Sequence, residues 1–124
     1  MYRIVLIGIA GLAGTLLRYW MSGWADERWG TSFPAGTLLV NLIGCLAIGF
    51  LFHTTEERYL VDPVVRTAIL VGFLGGFTTF SSFGIQTFTL LRDGEIFLAG
   101  INIAVSNVIG IGLVWTGYVV SRSL

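Results

Sequence analysis

Four long apolar segments joined by very short connections leave this 124-residue chain one broad class of fold. The segments are 4–24, 36–54, 64–91 and 96–120. Each reaches about 20 residues, which at ~1.5 Å rise per residue matches a hydrocarbon core of ~30 Å. Asp26 to Pro34, Thr55 to Pro63 and Arg92 to Glu95 leave no room for a soluble domain, a nucleotide site or a receptor ectodomain. Only 11% of the residues are charged and mean hydropathy is +0.85, whereas a soluble domain carries about 25% charged residues. The expectation is an all-α membrane protein, a single four-helix domain over 1–124 with the lipid bilayer as its surroundings. Arg3 ahead of the first apolar run resembles a signal peptide. That run is longer than a signal core and ends in Arg18 and aromatics, so it reads as a retained helix. Cys45 is the one cysteine, so no intrachain disulfide forms. A net charge of zero argues against a nucleic-acid partner.

The third segment contains GFLGGFTTFSSFG at 72–84. Gly75 and Gly76 followed by Thr and Ser alternating with Phe hold a helix poorly. A break at membrane depth exposes backbone groups that hydrocarbon cannot satisfy. It is tolerated where protein buries it or where it lines a polar cavity. The third helix is therefore expected to break at mid-membrane and to build a site there.

All seven cations are arginines. Four spans put both termini and the second connection on one side, with Arg3, Arg58, Arg66 and Arg122. The other side has Arg28 and Arg92, joined by Arg18 if it snorkels outward. So small an asymmetry does not fix orientation. Fixed insertion and insertion both ways stay open, and an antiparallel homodimer is the economical use of a chain that inserts both ways.

Polar and small residues form stripes. Gly8, Gly11, Thr15, Arg18 and Ser22 share a face of the first helix. Thr37, Asn41 and Gly44, beside Cys45, share one in the second. Asn102, Ser106, Gly110 and Gly117 share one in the fourth, flanked by Asn107. Such stripes serve helix packing. Asn41, Asn102 and Arg18 go further, because an amide or guanidinium at membrane depth marks a pathway or ligand site. His53, at the end of the second segment, reads as a snorkelling interfacial residue. No Asp, Glu or Lys lies inside a segment, although a proton-coupled or cation-selective device would place a carboxylate in its path. The embedded polar groups are donors or mixed donors, which suits an anion.

Phe80 and Phe83 are three apart and share a face past the break. Aromatic rings are positive at their edges, and edges presented to a narrow pore tolerate an anion. Phe73, Phe77, Phe88 and Phe97 are expected to face lipid. One His, one Cys and no embedded carboxylate supply no triad or acid–base pair, so the chain does not read as an enzyme.

Three ordered motifs resemble those of the Fluc (CrcB) fluoride channels: GLAGTLLRY at 11–19, GTLLVNLIG at 36–44 and GFLGGFTTFSSF at 72–83. The resemblance covers the whole chain. It implies a dual-topology antiparallel homodimer in the bacterial inner membrane that exports fluoride passively along two pathways. Asn41 and the ring edges of Phe80 and Phe83 would line each pathway, with Thr79, Ser81 and Ser82 as a polar track. Thr37 and Ser106, on the polar stripes, are counted with it. Arg18 would stand near the aqueous vestibule. A structural sodium ion would sit at the dimer centre on backbone carbonyls of Gly75 and Thr78.

The chain departs from the family pattern at Ser82 in place of Thr, Gly84 in place of Ser, and Gln86 where relatives carry a Glu. Asn102 falls where some relatives carry an aromatic residue. Two other classes compete: a small four-helix dimeric exporter, which needs an intramembrane Glu, and a structural membrane subunit, which needs no polar break.

Overall fold

The computed structural model describes residues 1–57 and 61–124. Arg58, one of the cations weighed above, lies outside them. The described chain has four helices long and apolar enough to cross a membrane, which makes this a multi-pass membrane protein. They are α1 (Tyr2–Trp29), α2 (Ala35–Phe52), a third span divided into α3 (63–77) and α4 (Phe80–Arg92), and α5 (Ile96–Ser123). Glycines with positive φ close two of the ends: Gly30 (φ 79°) after α1 and Gly94 (φ 81°) in the tight turn from α4 to α5. Pro63 opens α3, and the Asp62 carboxylate accepts the Val64 N–H at 2.8 Å. π-helical segments follow α2 (His53–Glu57) and lie within α3 (Ala68–Phe73) and α5 (Val105–Ile109). Such turns are rare and favour functional sites; nothing in the residue pattern foreshadowed them.

α1 packs along α3, and α2 packs most extensively along the C-terminal half of α5. Backbone meets backbone at both contacts. A Cβ on Gly72 would come 2.7 Å from the Ile7 carbonyl, and one on Gly76 2.6 Å from that of Gly11. Between α2 and α5, Gly49 faces the Val114 carbonyl and Gly117 that of Leu46, with no room for a methyl. Apolar side chains gain nothing by leaving lipid for protein, so close approach of small residues holds such helices together. Within the single protomer the α1 stripe is used only in part. Gly8 faces open space, while Gly14, which is not on the expected stripe, lies against the Phe73 carbonyl.

Two further expectations are overturned. His53 is 7% exposed, and its Nδ1 lies 3.0 Å from the Ser121 Oγ, with the Tyr118 ring edge-on to it. The π-helical turn at the end of α2 carries it into the α2–α5 contact instead of outward. Phe77 is 3% exposed, stacked on Phe73. Phe88 and Phe97 do point outward, as expected.

Candidate functional site at the break in the third span

The break falls two residues beyond the glycines expected to cause it. Gly75 and Gly76 are helical, in the last turn of α3, and Gly76 serves the close contact with α1. Thr78 (φ −91°, ψ 159°) and Thr79 (φ −152°, ψ 116°) are extended. Their β-branched side chains suit that conformation, and both hydroxyls cap. Thr78 Oγ1 donates back to the Leu74 carbonyl at 2.9 Å. Thr79 Oγ1 accepts the Ser82 N–H at 3.2 Å as the N-cap of α4, and donates to Ser82 Oγ at 3.1 Å.

Two side chains from other helices satisfy the interrupted backbone. Asn41 of α2 grips both sides of Thr79: Oδ1 accepts its N–H at 2.8 Å and Nδ2 donates to its carbonyl at 3.0 Å. Arg18 of α1 donates from Nε to the Gly76 carbonyl at 3.0 Å. A cation on the C-terminal carbonyls of a half-helix complements the negative end of its dipole. Across the gap, α4 presents its positive end. The first N–H groups of a helix have no intrahelical partner; Ser82's is taken by Thr79, and those of Phe80 and Ser81 have no partner among the described residues.

A groove of about 360 Å³ opens beside the break. Asn41, Thr78, Thr79, Phe80, Phe83, Ser106 and Gly75 line it, with Cys45 and Leu74 among its apolar walls. The Phe80 and Phe83 rings touch at 5.5 Å between centroids, tilted by 39°. Phe80 is 81% exposed, so in one protomer the groove is open on that flank. The Ser106 Oγ is buried with no hydrogen-bond partner among the described residues.

Thr37, Ser81, Ser82 and Arg18 are not on the groove wall. Thr37 is buried one turn before Asn41, and Ser81 and Ser82 cluster on the Thr79 hydroxyl. Gln86 belongs to a separate hollow of about 430 Å³ at the helix ends, among Asp26, Asp93 and Glu95. Its Oε1 is likewise buried and unpartnered among the described residues. Cys45, Ile48, Leu70 and Leu74 were missed as wall-formers, because small and apolar residues carry no signal of which cavity they face.

The family profile of CrcB-like protein, Camphor Resistance (CrcB) matches residues 5–118. The chain belongs to that family. A relative from Citrifermentans bemidjiense, named Fluoride-specific ion channel FluC, is 44% identical over 124 residues, 100% of both chains. One from Geotalea daltonii with the same name is 41% identical over 122 residues, 98% of each. One from Trichormus variabilis, also so named, is 41% identical over 119 residues, covering 95% of this chain and 87% of the relative. In this CrcB-like chain the three sequence motifs converge on one place. Arg18 from the first and Asn41 from the second both end on the broken backbone of the third.

Proposed function

We propose that this chain is a fluoride-selective channel of the bacterial inner membrane. Two copies pack antiparallel as a dual-topology homodimer and let fluoride leave the cytoplasm passively along two pathways. Full-length relatives named fluoride-specific ion channels support the substrate. The observation that carries the pathway is the Asn41–Thr79 clamp, which holds the start of α4 open beside the Phe80–Phe83 pair.

Fluoride is small and strongly hydrated, so a path must replace water with donors. One Asn41 N–H is committed to Thr79, and the other, without a partner among the described residues, would meet the ion. The Phe80 and Ser81 N–H groups sit at the positive end of α4, where anions are favoured. The positive edges of Phe80 and Phe83 continue the wall without adding a fixed charge that would trap the ion. Ser106 adds a hydroxyl with no protein partner among the described residues. Thr79, Ser81 and Ser82 act as a linked hydroxyl track, and Thr37 backs the Asn41 turn of α2. Arg18 shapes the entrance by holding the end of α3. The exposed flank at Phe80 is the side a second copy would cover.

The resemblance also implies a structural sodium ion. Of the last carbonyls of α3, Leu74's is taken by Thr78 and Gly76's by Arg18. Gly75, exposed beside the groove, keeps a carbonyl suited to a hard cation, and the Thr78 carbonyl lies in the extended link. Gly75 and Thr78 would hold the ion. Bound there, sodium supplies positive charge that offsets bringing an anion to midplane.

Anion efflux from liposomes holding the purified protein tests the proposal, read with fluoride and chloride electrodes. Fluoride release without chloride release, lost in Phe80→Ile, is expected. Equal release of both ions, or none of either, returns the chain to the exporter or structural-subunit classes.

A further inference from the structure

We infer that Asn102 and Thr87 are positioning residues that set the place of Phe83 in the groove. The inference rests on the proposed pathway through Phe83. Asn102, on α5, is 2% exposed, and an amide buried in a membrane span is costly unless fully engaged. Its Nδ2 donates to Thr87 Oγ1 on α4 at 2.9 Å, and Thr87 Oγ1 donates to the Phe83 carbonyl at 2.7 Å. A hydroxyl has one proton and spare lone pairs. With the proton on Phe83, the direction of both bonds is fixed. The pair is a two-step tie from α5 to the turn of α4 that carries the Phe83 ring.

Threonine in a helix often bonds its own i−4 carbonyl, as Thr89 and Thr116 do here. Thr116 is exposed and Thr89 half-buried at the Gln86 hollow, whereas Thr87 is 7% exposed and receives a second side chain from another helix. Neither Asn102 nor Thr87 is on the groove wall. The Thr79 cap fixes the first turn of α4 and Phe80 with it. The tie fixes the next turn, so the ring pair is held from both ends.

The test uses the full-length protein in liposomes, with the variants Thr87→Val, Thr87→Ser, Asn102→Leu and the double variant Thr87→Val/Asn102→Leu. A fluorine-labelled phenylalanine at position 83, and in a second preparation at position 73, gives a readout independent of flux. Thr87→Val is close to isosteric and carries the test should Asn102→Leu not fold. The expected result is a severalfold loss of fluoride efflux in Thr87→Val and Asn102→Leu, no greater loss in the double variant, and retention in Thr87→Ser. The fluorine resonance at 83 shifts with the loss while that at 73 stays. An unmoved resonance at 83, or a Thr87→Ser that behaves as Thr87→Val, overturns the relay. A wild-type protein that carries no fluoride refutes the channel reading instead, and the resonance at 83 still decides whether the tie exists.

Discussion

Asn41 and Thr79, 38 residues apart, form a closed pair in which one side-chain amide accepts the Thr79 N–H, which has no helical acceptor at the break, and donates to the Thr79 carbonyl. An amide donates and accepts from neighbouring atoms in one plane. No hydroxyl or carboxylate can do both jobs at once in that geometry.

Asn41→Asp is therefore expected to fail although it is nearly isosteric. The carboxylate still accepts the Thr79 N–H, but it faces the Thr79 carbonyl with no proton and adds a negative charge to an anion path. Setting two acceptors against each other in a part-buried site forfeits a hydrogen bond worth about 1 kcal/mol and adds repulsion between them. Fluoride efflux should fall by at least about tenfold, because 1.4 kcal/mol is a factor of ten. Efflux and size-exclusion profiles measured together decide it; a conducting Asn41→Asp channel would show that the clamp is dispensable.

Gly14→Ala should destabilise the protein, because the new methyl would run into the Phe73 carbonyl where α1 meets α3. Overpacking of this kind costs about 1–3 kcal/mol. Gly84→Ala faces open space in the protomer and should leave folding intact while replacing a residue that weakens α4. Thermal unfolding in detergent separates the two, and equal midpoints would contradict the packing described.

Phe80→Ile and Phe83→Ile keep apolar bulk and remove the ring edge. Each should abolish fluoride efflux while a folded dimer still elutes from the column. Retained flux in both variants would falsify the assignment of the rings to the pathway.

How much of this was legible beforehand follows from what each residue type can signal. The four spans were legible because apolar length against a bilayer is a one-dimensional quantity. A broken third helix was legible from its Gly, Thr and Ser content, but not its position. Gly75 and Gly76 stay helical because α1 packs on them, and Thr78 and Thr79 break because Asn41 pays the hydrogen-bond cost from another helix. Sequence adjacency carries no trace of that partner. His53 and Phe77 were misplaced for a similar reason. The π-helical turn rotates His53 onto Ser121, and Phe77 stacks on Phe73 rather than facing lipid.

Insertion in both orientations predicts that a tag at one terminus is accessible from both sides of the membrane. The described loop contacts do not bias it: Arg66 pairs with Glu56 and Arg92 with Asp93, so each side neutralises one of its own cations. Substituted-cysteine labelling at the C-terminus, with Cys45 replaced, reads the ratio directly. Labelling from one side alone would establish a fixed orientation and rule out the antiparallel dimer.

Removing sodium tests the proposed central ion without any mutation, which matters because its proposed ligands are backbone carbonyls that no side-chain change deletes. The Gly75 carbonyl stands at the negative end of α3, and the Arg18 guanidinium already compensates its neighbour at Gly76. Without a cation, two antiparallel copies would bring four such carbonyls together unpaired. Fluoride efflux measured after dialysis into a large organic cation should fall, and readdition of sodium should restore it while potassium at the same ionic strength should not. Flux that is indifferent to the cation would show that Arg18 and the threonine caps suffice to hold the break.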